Sequence, residues 1–67
     1  MTLSINGEDR EVPDGISLEE LLVLLELPAR KGLVVAVNLS VVSHSDRSEF
    51  VLGDGDRIDV VTAVGGG

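Results

Sequence analysis

The sequence feature that most constrains the fold is a single amphipathic helix among segments that favour β-strands. Leucines recur at i, i+3, i+4 and i+7 between Leu18 and Leu25, and Ser17 followed by Glu20 matches a capping box. The pattern predicts a helix of about ten residues that begins at Leu18 and ends before Pro28. Because the leucine stripe must be buried, we expect this helix to pack against a sheet.

The strand signals lie on both sides of this helix. Asn6 and Gly7, between two alternating segments, predict an opening β-hairpin. The apolar run Leu33–Val37 predicts an interior strand, Val41 and Val42 a short strand, and residues 58–64 a last strand. This order predicts an α+β fold of the β-grasp type: a mixed sheet of four to five strands, one helix packed across one face, and the first and last strands parallel at its centre.

The domain prediction is one β-grasp domain over residues 1–64 and a flexible glycine tail over residues 65–67. Glycine has no side chain to bury and the most backbone entropy to lose. The tail presents the α-carboxylate of Gly67 on an arm of roughly 10 Å. A carboxylate is ionised and a poor electrophile at neutral pH, so a partner must activate it, most simply as an acyl-adenylate made from ATP. A frayed end or a linker remnant is the alternative interpretation.

Composition argues against several functions. The 67 residues include no cysteine, so disulfides, thiolate metal sites and cysteine nucleophiles are excluded. Twelve acidic residues against five basic ones, with Phe50 as the only aromatic, argue against binding to nucleic acid or to anionic membranes. No signal-peptide pattern is present, and no apolar stretch approaches the ~20 residues of a membrane span. A cytoplasmic protein is expected.

No set of residues predicts catalysis. His44 lies beside serines and Asp46 in one polar loop, whereas a hydrolase triad needs groups that converge from separate elements. We therefore expect a solvent-facing His44, no enzymatic activity, no metal site and no bound cofactor. The Gly53–Asp56 stretch predicts a tight turn, because the glutamate that ends a calcium loop is missing. Arg30 and Lys31 form the only basic cluster, which we interpret as a solvated turn rather than a nucleotide or acidic-surface contact.

Alternation along the last strand predicts a docking surface near the tail. If Ile58 faces the helix, Val61 and Ala63 face the opposite side, where an outward Val34 or Ala36 would widen the patch. A few exposed aliphatic side chains are normal in any protein, so a patch without function is the alternative.

The chain resembles the small sulfur carriers of the ThiS family, in the ubiquitin-like β-grasp superfamily, through several short motifs that follow one another in the same order. The resemblance covers essentially the whole chain, and it rests on the opening Ile5-Asn6-Gly7-Glu8, the helix start Ser17-Leu18-Glu19-Glu20-Leu21-Leu22, Val35-Ala36-Val37-Asn38, Val41-Val42, Asp54-Gly55-Asp56-Arg57-Ile58 and Ala63-Val64-Gly65-Gly66-Gly67. The chain departs from the family at Asn38-Leu39, where relatives often have Asn-Gly, and near residues 43–49, where they have Pro-Arg-Ser followed by Trp.

The resemblance implies a role for the tail. An E1-like, ThiF-like adenylyltransferase would use ATP and Mg²⁺ to adenylate the Gly67 carboxylate. Sulfur from a cysteine desulfurase would then convert it to a thiocarboxylate, which a ThiG-like thiazole synthase uses. Gly65 and Gly66 would thread into the partner, and the carrier itself would catalyse nothing. The alternatives are a MoaD-like or other sulfur carrier, a ubiquitin-like modifier, or a non-covalent β-grasp interaction module.

Overall fold

The computed structural model describes residues 1–27 and 32–62, and within these residues the chain forms one α-helix and five strands. The elements in chain order are β1 (Thr2–Ile5), β2 (Glu8–Glu11), α1 (Leu18–Leu24), β3 (Leu33–Val37), β4 (Ser40–Val42), a 3₁₀ turn (His44–Asp46) and β5 (Arg57–Thr62). The basic cluster at Arg30 and Lys31 lies outside the described residues.

The five strands form one mixed sheet in the order β2-β1-β5-β3-β4. The first and last strands, β1 and β5, are parallel neighbours at its centre, and all other pairs are antiparallel. The predicted β-grasp fold is therefore confirmed, with five strands. The Gly53–Asp56 stretch forms the predicted turn, in which Gly55 adopts a φ of +85°.

Two hairpin turns have the same backbone form. Asn6 and Gly7 between β1 and β2 adopt φ values of +50° and +86°, and Asn38 and Leu39 between β3 and β4 adopt +50° and +71°. A two-residue hairpin turn of this kind needs positive φ at both central positions, which favours Asn-Gly. Leu39 therefore occupies a position where a glycine would be less strained, and its side chain remains exposed.

Helix α1 begins where the sequence predicts. Glu20 N–H donates to Ser17 Oγ at 3.1 Å and Ser17 N–H donates to Glu20 Oε1 at 3.0 Å, which completes the capping box. The hydrogen bond from the Ser17 backbone lowers the pKa of the Glu20 carboxyl below its ordinary value. The hydrogen bonds of the capping box therefore favour the ionised form of Glu20.

The helix ends earlier than predicted, at Leu24 rather than just before Pro28. Glu26 adopts a left-handed φ of +59°, its N–H donates to Val23 O at 3.0 Å, and Leu27 N–H donates to Leu22 O at 2.8 Å. These two bonds form a Schellman motif. Glycine usually occupies the left-handed position of this motif and would indicate the end of the helix. Because this chain has Glu26 there, the sequence does not indicate that the helix ends at Leu24.

The core lies between α1 and the inner face of the sheet. Leu18, Leu21 and Leu22 of the predicted leucine stripe are buried, and Leu25 is half-buried. Leu52 is buried, and Phe50 is half-buried against the core. The other buried apolar side chains are Leu3, Val12, Ile16, Leu33, Val35, Val37, Val42 and Ile58.

Arg47 is buried, which the sequence did not predict. Its side chain donates from Nη2 to the carbonyl oxygen of Leu33 at 2.9 Å, and its own carbonyl accepts from Glu19 N–H at 3.1 Å. The loop after β4 is thereby joined to the start of β3 and to the first turn of α1. The Nη2 bond satisfies one donor of the buried guanidinium, whereas Arg47 Nε is buried without a hydrogen-bond partner among the described residues.

Candidate functional site on the outer face of the sheet

The predicted docking surface lies on the sheet face opposite α1, which we call the outer sheet face and define by Val34, Ala36, Val41, Asp59 and Val61. Val34 and Val61 are direct partners in the β3–β5 register, and 44% and 60% of their surfaces are exposed. Cross-strand partners of this kind have Cβ atoms about 5 Å apart, so the two valines form one continuous apolar surface.

Val41 enlarges this surface, and the sequence reading did not include it. It is the β4 partner of Ala36, is 71% exposed, and precedes the buried Val42. Ala36 itself is half-buried. The alternation of Val41 with Val42 was a usable signal for an outward Val41. Strand β3 lies in the interior of the strand order, as its apolar run predicts. Its apolar residues are nevertheless not all buried, because Val34 and Ala36 lie on the outer sheet face.

A polar pair borders the apolar surface on the side away from the tail. Arg57 and Asp59 lie two residues apart on β5, and their Nε and Oδ2 atoms are 3.0 Å apart. Asp59 is the β3–β5 partner of Ala36, and this pair lies two register positions from the pair of Val34 and Val61, on the same face of the sheet. The outer sheet face is therefore charged near the start of β5 and apolar near its end, where the chain continues toward the glycines.

Two asparagines hold β5 from both sides. Asn6 Oδ1 accepts from Val60 N–H at 2.8 Å, beyond the point where the parallel β1–β5 pairing ends at Ile5 and Ile58. Asn38 Oδ1 accepts from Arg57 N–H at 3.0 Å. The sequence identified both residues as turn formers, but the bonds to β5 depend on the tertiary topology and carry no local signal.

The remaining predicted site residues, Ala63, Gly65, Gly66 and Gly67, lie outside the described residues. Of the predicted docking residues, the structure describes Val34, Ala36 and Val61 and places them on one face of the sheet, and the binding of a partner there stays a prediction.

His44 is exposed in the 3₁₀ turn, as predicted. Ser43 Oγ donates to Asp46 Oδ2 at 2.9 Å, so the serine and the aspartate of this loop bond to each other. Within residues 1–27 and 32–62, no three side chains of metal-binding type lie close enough to hold an ion. In the same part of the chain, no helix is long and apolar enough to cross a membrane.

The described strands and helix define a β-grasp domain that exposes an apolar surface beside the end of its central strand β5. The model of the ThiS family matches residues 3–67 of this sequence. The chain belongs to the ThiS family.

Two solved structures agree with this assignment. The crystal structure of the thiamine biosynthesis protein ThiS from Geobacter metallireducens superposes with a TM-score of 0.86 and 26% identity, over 100% of both chains. The solution structure of a thiamine biosynthesis protein from the same organism superposes with a TM-score of 0.82 and 26% identity, over 100% of this chain and 88% of the other.

A curated relative is a longer protein. The thiazole synthase of Paramagnetospirillum magneticum is 37% identical to this chain over 67 residues, which is 100% of this chain and 20% of that protein. The chain therefore spans a fifth of the length of that relative.

Proposed function

We propose that this chain is a sulfur carrier in thiamine biosynthesis. An E1-like adenylyltransferase converts the Gly67 carboxylate to an acyl-adenylate with ATP and Mg²⁺ and releases pyrophosphate. A persulfide formed by a cysteine desulfurase displaces AMP, and a thiol reductant then cleaves the S–S bond of the resulting acyl disulfide to leave a thiocarboxylate. A thiazole synthase then takes this sulfur into the thiazole ring. Gly65 and Gly66 form the thin stalk that enters both partners. The carrier supplies the acyl group, and its partners supply the catalytic groups.

The observation that carries this proposal is the family match, which extends from residue 3 through the three glycines to residue 67. The thiazole synthase relative supports a thiazole synthase as a partner, because a segment similar to this chain makes up a fifth of that protein. The composition suits the role as well, since a net charge of −7 steers the chain toward basic clefts on other proteins.

The proposal is tested by intact-mass measurement. Incubation with the adenylyltransferase, ATP, Mg²⁺ and sulfide is expected to raise the mass by about 16 Da, because one carboxylate oxygen is replaced by sulfur. The gain should vanish when ATP is omitted, since sulfide does not displace an oxygen from an unactivated carboxylate. An unchanged mass in the complete reaction would contradict the carrier function.

We further propose that the outer sheet face, extended by Ala63, binds the adenylyltransferase. Val34, Ala36 and Val61 lie beside the strand that leads to the tail, so a protein docked on them is well placed to receive Gly67. The pair Val34 and Val61 is expected to contribute most of the binding energy, because both are apolar and they are 44% and 60% exposed.

Val61→Asp is expected to slow adenylate formation about ten-fold or more, because a charge at the centre of an apolar contact must be desolvated. The rate of ATP–pyrophosphate exchange measures this step. Val51→Asp is the matched control: Val51 is 64% exposed, similar to the 60% of Val61, and lies away from the outer sheet face. Equal rates for the two variants would show that the docking surface lies elsewhere.

A further inference from the structure

Strand β5 is supported unequally by its two neighbours. On the β3 side the register continues to Thr62, the last residue of the strand, which pairs with Leu33. On the β1 side the register ends earlier, at the pair of Ile5 and Ile58, because the chain then enters the first hairpin turn. Without a further contact, the last four residues of β5 would have β3 as their one supporting strand and would resemble the edge of a sheet.

The side chain of Asn6 continues the support from β1 past this point. The Asn6 N–H donates to Ile58 O at 2.9 Å, and Asn6 Oδ1 accepts from Val60 N–H at 2.8 Å. Among residues 1–27 and 32–62, this second bond lies farthest along β5 of those made from the β1 side. The side chain of Val60 is half-buried, whereas that of Ile58 is fully buried, so packing holds Val60 less firmly and the bond matters more there.

This bond lies near the end of β5 that leads to the reacting group. Val60 is seven residues from Gly67, which is at most about 24 Å along an extended chain. In adenylation a carboxylate oxygen of Gly67 attacks the α-phosphorus of ATP, and the new O–P bond forms as the bond to pyrophosphate breaks. The rate of such a step depends on how well the two groups are placed. If Val60 separates from β1, the arm that carries Gly67 starts from a range of positions rather than from one.

We propose that Asn6 is a positioning residue for the Gly67 carboxylate: its side chain holds Val60 and so fixes the place and direction in which the chain leaves β5. The inference rests on the proposed function, because it assumes that Gly67 is adenylated. The hairpin turn alone does not require this side chain, since glycine also adopts the positive φ of Asn6. Glycine cannot accept the bond from Val60.

Two substitutions separate the turn from the bond. Asn6→Gly keeps a residue that readily adopts positive φ but removes the acceptor, whereas Asn6→Asp tolerates the same conformation and keeps an oxygen acceptor. Asn38→Gly is the matched control. Asn38 has the same φ of +50°, and its Oδ1 accepts from Arg57 N–H at 3.0 Å, at the opposite end of β5. Asn38 Nδ2 also donates to Asp56 Oδ1, so the control loses at least as many hydrogen bonds as Asn6→Gly.

The test is ATP–pyrophosphate exchange by the purified adenylyltransferase at increasing concentrations of each chain. Asn6→Gly is expected to lower kcat about two- to ten-fold, the range that one neutral hydrogen bond spans, without raising the KM for the chain, because the outer sheet face is intact. Asn6→Asp and Asn38→Gly should keep the wild-type kcat. A mere loss of folded chain would instead raise the KM and leave kcat unchanged, so the two constants distinguish positioning from stability.

Amide hydrogen exchange, followed by NMR for each residue, supplies a second measurement that needs no enzyme. The Val60 amide should exchange about two- to ten-fold faster in Asn6→Gly than in the wild type, relative to the amides of α1, which report any loss of global stability. In Asn38→Gly the Val60 amide should exchange as in the wild type on the same scale. An unchanged Val60 exchange rate in Asn6→Gly would overturn the inference.

The kinetic outcomes separate this inference from the proposed function. If the wild type is adenylated and Asn6→Gly has the same kcat, the inference alone fails. An equal loss of kcat in Asn38→Gly or in Asn6→Asp would also overturn it, because the effect would then not come from the acceptor beside Val60. If the wild type supports no exchange at all, the proposed function fails and the inference fails with it.

Discussion

A chain that lacks Gly67 is expected to gain no sulfur in a reaction that converts the wild type completely. The shortened chain still ends in a carboxylate, that of Gly66, so the reactive group itself is not lost. Its reach is lost, because each extended residue contributes about 3.5 Å and a displacement of this size takes the carboxylate away from the α-phosphate of ATP. Intact-mass measurement after incubation with the adenylyltransferase, ATP, Mg²⁺ and sulfide detects the loss.

Two controls make this result interpretable. Thermal unfolding should give the same Tm for both chains, because the residues that form the core all lie upstream of the tail. Gly67→Ala keeps the length and the carboxylate but adds a methyl group, so it should be modified more slowly rather than not at all. A shortened chain that still gains about 16 Da at the wild-type rate would refute a position-specific role for Gly67.

Leu21→Ala is expected to lower the free energy of unfolding by about 2–5 kcal/mol, because it removes a fully buried side chain at the contact of α1 with the sheet. A domain of this size has a total stability of only about 3–5 kcal/mol, so the variant is expected to lose a large share of its stability. Urea denaturation followed by circular dichroism measures the change.

The matched control is Val23→Ala, two residues away on the same helix. Val23 is 69% exposed, so its truncation should change the free energy of unfolding by no more than about 0.5 kcal/mol. Equal losses in the two variants would show that the leucine stripe does not form the core.

Most of the fold could be predicted because its local signals agree with one another. Asn6 and Gly7 define the first hairpin, the capping box defines the start of α1, and the spacing of leucines defines which side of the helix is buried. The parallel pairing of β1 with β5 followed from the order of the elements, since a hairpin, a crossover helix and a last strand combine in few ways.

The sequence-based predictions are wrong or incomplete where the type of a residue does not indicate its backbone conformation or its burial. Glu26 ends the helix in a left-handed conformation that glycine usually adopts, so the predicted end was too late. Arg47 is buried against Leu33, although arginine is among the residues most often exposed. Leu39 occupies a positive φ that its side chain disfavours, and only the register of β3 and β4 imposes it.

The candidate site was predicted in part for the same reason. Alternation in β3 and β5 was enough to place Val34, Ala36 and Val61 on one face, and the β3–β5 register then joined them. Val41 needed the β3–β4 register in addition. Val23 and Leu24 lie on the exposed side of α1, and the leucine spacing, which identifies the buried side of the helix, carries no signal for them.

The bonds that Asn6 and Asn38 make to β5 have a mechanical consequence. An enzyme that draws in the residues after Thr62 pulls along the axis of β5, so it loads the ladders with β1 and β3 in shear, where many hydrogen bonds must fail together. The two asparagines clamp the strand near both of its ends and oppose unzipping from either one. These two hydrogen bonds are therefore expected to help keep β5 in the sheet when its C-terminal end is pulled.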